Sequence, residues 1–144
     1  MPVRERIKPS KTMLKRGKFA VIKSYDFMEM KPRGNYLTRN LVYYDRYGVM
    51  TMRMGRVEML ELGVRVDEHR SNCEEIYYVL EGKGTIGIDG KDYEVEQGDI
   101  AYVGANVWHG PHVNTGTGPF KLLYVVSQML RAHELGQTQF RPEK

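Results

Sequence analysis

Three of the four histidines fall in two short segments whose residue types and spacing suit a metal site. In the first segment His69 and Ser71 are two residues apart, so on a strand their side chains point to the same face. A turn after Ser71 would let the chain return as a second strand and bring the Glu75 carboxylate near the His69 imidazole. The second segment repeats this order, with His109 on the strand that follows a glycine-containing turn.

Two imidazoles and one carboxylate that converge inside a β-barrel form a 2-His-1-carboxylate site. Such a set of donors suits Fe(II), Zn, Mn, Ni or Co and leaves positions open for a substrate or water. A buried glutamate with no cation beside it would be costly. The spacing alone also allows a second interpretation, in which His69 and Glu75 form a hydrogen-bonded or ionic pair at the surface.

The elements that position these side chains are predicted to be strands. Short segments rich in β-branched, aromatic or methionine residues follow residue 18, separated by turn residues at intervals typical of a sandwich or barrel. The predicted strands are FAVIKSY (19–25), LVYY (41–44), VMTMRM (49–54), RVEMLELGVRV (56–66), EIYYVLEG (75–82), TIGIDG (85–90), YEVEQGD (93–99), IAYV (100–103) and FKLLYVV (120–126). Asp89-Gly90 predicts a two-residue hairpin, and only Gln128–Leu135 predicts a helix. The pattern therefore predicts an all-β jelly-roll barrel with a short C-terminal helix.

The segment EIYYVLE carries large apolar side chains on both faces of its predicted strand. Tyr77 and Val79 share one face with Glu75, whereas Ile76 and Tyr78 lie on the other. A single barrel leaves its outer face in water, so this face is expected to be covered by N-terminal strands or by a second subunit.

Composition limits the class of protein. The chain has 144 residues, of which 41% are hydrophobic, and this is enough for one globular domain. A single cysteine excludes an intramolecular disulfide framework and a cysteine-rich zinc site. No uncharged apolar stretch approaches the ~20 residues of a membrane span, and no secretory signal is recognised at the N-terminus, so a cytoplasmic location is expected.

The positive charge is concentrated in one part of the chain. Residues 1–20 hold seven basic side chains and one acidic side chain, a charge of +6, whereas the other 124 residues carry −2, so the overall net charge of +4 comes from the N-terminal segment. We interpret residues 1–18 as a basic tail or arm and residues 19–144 as the barrel domain. No aromatic pattern accompanies the lysines, so nucleic acid is not the expected partner.

The two histidine segments resemble the paired motifs of the cupin superfamily. The first motif has the form G, five residues, H-x-H, three or four residues, E, six residues, G. The second has the form G, five residues, P-x-G, two residues, H, three residues, N. The matching positions are Gly63, His69, Ser71, Glu75 and Gly82 in the first, and Gly98, Gly104, Asn106, His109 and Asn114, one place late, in the second.

This resemblance implies one divalent metal ion held by His69, Glu75 and His109, in a dimer that shares N-terminal strands. Ser71 stands where the family has its second histidine, and a hydroxyl is a weaker ligand than an imidazole. His112 or Glu74 could compensate for that loss.

Two neighbouring residues bear on that compensation. Pro111 breaks strand alternation, so the pattern does not fix the direction of the His112 side chain. Cys73 lies in the predicted turn and is expected to be partly exposed.

The predicted function is that of a metal-dependent enzyme acting on a small anionic or enolisable substrate. A divalent ion with one carboxylate ligand keeps about one positive charge for an anion. Non-haem iron dioxygenase is the preferred reaction class, because two histidines and a carboxylate match that pattern. Isomerase, cyclase, decarboxylase or lyase activity, with the metal as Lewis acid, and non-catalytic binding of a small ligand are the alternatives.

Overall fold

The computed structural model describes residues 30–42, 52–127 and 139–140, together with Val21. These residues form twelve strands, and within them no helix is long and apolar enough to cross a membrane. The strands are β1 (Lys31–Arg33), β2 (Tyr36–Val42), β3 (Met52–Met59), β4 (Arg65–Val66), β5 (His69–Arg70), β6 (Glu75–Glu81), β7 (Lys83–Ile88), β8 (Lys91–Glu96), β9 (Ile100–Val103), β10 (His109–Asn114), β11 (Phe120–Ser127) and β12 (Gln139–Phe140).

The strands form two antiparallel sheets. Sheet A has the order β1-β2-β3-β11-β6-β9, and sheet B has the order β12-β5-β10-β7-β8, with β4 also paired to β10. The hydrophobic core lies between them, because both sheets contribute to one buried cluster. Its members are Val57, Met59, Tyr77, Val79, Val103, Phe120 and Leu122 from sheet A, and Val66 and Ile86 from sheet B.

The predicted all-β barrel is therefore confirmed, and several local predictions are confirmed with it. The Asp89-Gly90 turn joins β7 to β8, and both residues have positive φ, 50° and 80°. Such a pair of left-handed residues gives the backbone twist that a two-residue hairpin requires. The two strands predicted for 49–54 and 56–66 are instead one strand, β3, followed by the short β4.

Strand β6 alternates as its sequence predicts. Glu75, Tyr77 and Val79 are buried, whereas Ile76 and Tyr78 are 42% and 40% exposed. Their exposed face continues onto the edge strand β9. Coverage of this face by N-terminal strands or by a second subunit stays a prediction, and sedimentation would test for the second subunit. The N-terminal tail (1–18), the strand at 19–25 and the helix at Gln128–Leu135 lie outside the described residues.

The strand pairing in sheet A places apolar residues at one end of the interior and charged residues at the other. On β11, Leu122 pairs with Val57 on one side and Val79 on the other, and all three are buried core residues. Two rows further along, Val126 pairs with Arg53 on β3 and Glu75 on β6. Charged side chains thus replace apolar ones at one end of the barrel.

Candidate metal centre

His69 and His109 face each other across neighbouring strands. They are direct Cα partners in the β5–β10 pair, and their ring centroids lie 4.2 Å apart. The antiparallel pairing thus brings together two histidines that are forty residues apart in the sequence.

A β-bulge in β10 adds His112 to this pair. His109 lies opposite Ile88 of β7 and His112 lies opposite Ile86, so three steps on β10 match two on its neighbour. In a regular strand, residues three apart point to opposite faces. The extra residue brings the side chains of His109 and His112 back to the same face, and both imidazoles are 1% exposed. One ring nitrogen each from His69, His109 and His112 lie within 4.8 Å of one another.

The bulge depends on the glycine at position 110. Gly110 has a φ of 103°, which side-chain-bearing residues rarely adopt. A Cβ atom there would lie 2.7 Å from the Cα of Glu68 and 2.9 Å from the carbonyl oxygen of Asp67. The backbone of the segment before β5 therefore packs directly against the bulge.

Backbone carbonyls set the orientation of two of the three imidazoles. His69 Nδ1 lies 2.7 Å from the carbonyl oxygen of Asp67, and His109 Nδ1 lies 2.9 Å from that of Val107. A carbonyl can only accept, so each Nδ1 carries a proton and donates it. In the neutral rings each Nε2 therefore keeps its lone pair, which is how metal-bound histidines are commonly held.

Three ring nitrogens of His109 and His112 lack the partners that buried polar groups normally have. Both nitrogens of His112 and Nε2 of His109 are buried without a hydrogen bond. Most buried polar atoms in proteins are paired, and an exception calls for an explanation. Orphaned imidazole nitrogens that converge fit a bound metal ion, because the ion would accept their lone pairs.

Glu75 adds a carboxylate to the cluster from the opposite sheet. Its Oε2 lies 3.1 Å from His109 Nε2, although the angle does not make a hydrogen bond, and the Tyr77 hydroxyl bonds to it. Burial alone would raise the pKa of Glu75. The charge of His109 and the hydrogen bond from the Tyr77 hydroxyl outweigh burial, so the pKa of Glu75 is lowered. The carboxylate is therefore ionised at neutral pH.

The three histidines have different proton affinities. Burial, reinforced by the other two imidazoles, lowers the pKa of His112 well below its ordinary value. Burial and the nearby His109 also lower the pKa of His69. Burial opposes protonation of His109 too, but the Glu75 carboxylate and the Val107 carbonyl overcome it and raise the pKa of His109. His69 and His112 are thus neutral and able to coordinate at pH 7.

The structure places the other candidate ligands differently. Ser71 is buried beside the cluster, but its hydroxyl makes long hydrogen bonds of 3.3–3.4 Å with the backbone of Cys73. The Glu74 carboxylate lies outside the cluster, where it accepts a hydrogen bond of 2.6 Å from Tyr102. Cys73 is 6% exposed, so the expectation of a partly exposed thiol was wrong.

A cavity of about 110 Å³ opens beside the histidines. Its wall contains polar side chains from both sheets, and the exposed Arg33 marks its mouth. The lining residues are Arg33, Tyr36, Thr38, Arg53, Val57, Val66, His69, Ser71, Glu75, Tyr77, His112, Leu122 and Tyr124. Sequence reasoning did not single out Arg53 or Tyr124. The two-residue period of β3 could have indicated Arg53, because residues 53, 55 and 57 share one face of the strand and Gly55 and Val57 are buried.

Comparisons with known proteins agree with this fold. The Cupin domain family model matches residues 56–126, which include every residue of the histidine cluster. An uncharacterized protein of Methanocaldococcus jannaschii is 42% identical over 50 residues, which are 35% of this chain and 39% of that protein. The chain thus matches about two fifths of the length of this curated relative.

Solved structures show the same architecture at low identity. A predicted oxalate decarboxylase from Thermotoga maritima has a TM-score of 0.63 and 24% identity, covering 76% of this chain and 99% of that one. The polyketide cyclase RemF from Streptomyces resistomycificus has a TM-score of 0.62 and 18% identity, covering 77% and 74%. An uncharacterized double-stranded β-helix protein from Klebsiella pneumoniae has a TM-score of 0.66 and 16% identity, covering 88% and 100%. With its two motifs on paired antiparallel sheets, the chain belongs to the cupin superfamily.

Proposed function

We propose that the chain is a metal-dependent enzyme that acts on a small anionic substrate. One observation carries this proposal: the half-buried imidazole of His69 converges with the buried imidazoles of His109 and His112, and three nitrogens of the two buried rings have no hydrogen-bond partner. In this proposal His69, His109, His112 and Glu75 hold one divalent ion. The predicted set of His69, Glu75 and His109 is thereby extended by His112, which takes the place of the imidazole missing at Ser71.

The surrounding residues would keep these donors in place. The carbonyls of Asp67 and Val107 fix two imidazole rings, and the Tyr77 hydroxyl holds the Glu75 carboxylate. When bound, a divalent metal supplies Lewis acidity, or an oxygen-binding centre if it is Fe(II). The small cavity would hold the substrate beside the donors and limit its size.

The fourth donor weakens the argument for a dioxygenase. That preference depended on a site of two histidines and one carboxylate, whereas His112 offers a third imidazole. Isomerase, cyclase, decarboxylase and lyase chemistry are therefore equally open, and a shared fold does not choose among them. Oxygen consumption distinguishes a dioxygenase from an isomerase, cyclase, decarboxylase or lyase. The Fe(II)- and Zn(II)-loaded proteins would each be incubated with small 1,3-diketones and 2-oxo acids while an oxygen electrode records uptake.

A metal-free barrel that binds a small ligand without catalysis is the second candidate. Glu75 and His109 favour it, because a carboxylate and an imidazolium 3.1 Å apart can neutralise each other without an ion. Burial makes such a pair costly, but the opposite charges offset much of that cost.

Metal analysis of protein purified without chelator distinguishes the two candidates. We expect about one divalent ion per chain in the wild type, and a large loss in each of the variants His69→Ala, His109→Ala and His112→Ala. His133→Ala is the matched control, since this fourth histidine lies outside both motifs and should leave the metal content unchanged. Circular dichroism would confirm that each variant is folded.

Two results would contradict the metal proposal. The first is full occupancy in the three site variants, which would put the ion elsewhere. The second is a wild-type protein that takes up no Fe, Zn, Mn, Ni or Co under dialysis, which would favour the metal-free binding barrel.

A further inference from the structure

Arg53 places a guanidinium in the cavity wall opposite the histidine cluster. It lies on β3 in the same alternation as Gly55 and Val57, both of which are buried. In sheet A it shares a row with Val126 and Glu75, which pair across β11. Neighbouring strands are ~4.8 Å apart, so the Cα atoms of Arg53 and Glu75 are separated by about 10 Å.

No carboxylate in the described part of the chain pairs with Arg53. The next arginine on the same strand, Arg56, shows the ordinary arrangement: it points to the outer face and lies 2.9 Å from a Glu58 oxygen. A half-buried guanidinium loses hydration without gaining an ion pair, which is unfavourable unless a ligand supplies the anion. Among the residues that the structure describes, Arg53 is thus a cation in the cavity wall with no carboxylate beside it.

The wall beside Arg53 is formed by Tyr124, which is held in place by its contacts. The Tyr124 ring lies across Gly55, where any Cβ atom would overlap the ring. The Tyr124 hydroxyl donates to Asn40 Oδ1 at 2.9 Å, which holds the ring against the strand. Burial raises the pKa of Tyr124, and the Arg53 charge works against that rise, in keeping with a positive potential here.

We propose that Arg53 binds a carboxylate group of the substrate, and that the substrate is a compact carboxylate with a second oxygen donor directed at the histidine cluster. The Arg53 contact stands on the cavity alone, whereas the second contact rests on the proposed metal function. A guanidinium matches a carboxylate in shape and charge through two parallel hydrogen bonds. The cavity of about 110 Å³ leaves space for only a few atoms between the two contacts.

Malonate is a suitable probe, because it carries two carboxylates on a short chain. Calorimetric titration of the Zn(II)-loaded protein should show malonate binding at least tenfold more tightly than acetate. Arg53→Gln should weaken malonate binding by roughly 10- to 100-fold, the usual effect of a lost charged hydrogen bond, with the zinc content unchanged. The malonate affinity of Arg53→Lys should lie between those of the wild type and Arg53→Gln, since lysine keeps the charge without the paired donors. Arg56→Gln removes the same charge from the outer face and should have no effect.

Different results would overturn different parts of this inference. Unchanged malonate affinity in Arg53→Gln, or no malonate binding by the wild type, refutes the role of Arg53. Equal affinity for acetate and malonate refutes the second donor. If the wild type binds no zinc but the metal-free protein binds malonate in an Arg53-dependent manner, the metal proposal fails while the carboxylate site stands.

Discussion

Replacing His112 with leucine should have opposite effects on the metal-free and metal-bound proteins. His112 is 1% exposed, and both of its ring nitrogens lack a hydrogen bond. Its neutral ring therefore buries one donor and one acceptor, at a cost of about 1–3 kcal/mol. Leucine has a similar volume and no polar atom, so we expect the metal-free variant to be more stable by about that amount. For a chain of this size the melting temperature should rise by roughly 2–12 °C.

With metal present the order should reverse. An ion at a thousandfold excess over its Kd stabilises the wild type by about 4 kcal/mol. A variant that has lost one imidazole ligand, and so binds the ion more weakly, gains less. Thermal and urea denaturation in EDTA and in Zn(II) would measure both differences.

The matched control is Asn114→Leu on the same strand. Asn114 is also fully buried, but it donates to the carbonyls of Met59 and Gly118 and accepts from the Gly116 amide, each at 2.9 Å. Its loss should destabilise the protein with or without metal, because three backbone groups lose their partner. The reasoning about His112 is refuted if His112→Leu destabilises the metal-free protein as Asn114→Leu does.

Three further predictions concern the same site. Ser71→His should raise metal affinity about tenfold in a competition titration, since the side chain is buried at the cavity beside His69; unchanged affinity would mean that position 71 does not face the ion. Gly110→Ala should cost about 3 kcal/mol or more in urea denaturation and weaken zinc binding, because its Cβ would press on the Asp67 carbonyl that orients His69; wild-type stability would contradict this. The metal-free protein should lose stability below pH ~6.5, by up to ~1.4 kcal/mol per pH unit for His112, because its lowered pKa makes the unfolded state bind the proton first. His69 acts in the same sense, and the raised pKa of His109 acts in the opposite one. Urea titrations from pH 7.5 to 5 would show this slope, and His112→Leu should flatten it.

The parts of the fold that depend on local patterns could be predicted from the sequence. The two-residue period of β6 gave its buried and exposed faces, and Asp89-Gly90 gave a hairpin, because each signal depends only on neighbouring residues. The backbone conformation of Asn106 can also be explained from its residue type once the structure is known. It stands where the family motif has glycine, and its φ of 62° is one that asparagine tolerates better than most residues.

The position of His112 could not be predicted, because it depends on pairing with a distant strand. Strand alternation from His109 would point His112 to the opposite face, and only the register against β7 shows the extra residue. The same insertion explains why Asn114 comes one place later than the family motif expects. The extent of β3 was also missed, since the predicted strands stop on either side of Gly55, whereas β3 runs through this glycine.

The donors of the candidate site are unequally divided between the sheets. His69, His109 and His112 belong to sheet B, and Glu75 is the one donor from sheet A. A bound ion would therefore connect the two sheets through a single carboxylate, at the end of the barrel where polar and charged side chains replace the apolar core. Separation of the sheets at this end and release of the ion would then be the same event. The rate of amide hydrogen exchange in β6 would report how often the two sheets separate at this end.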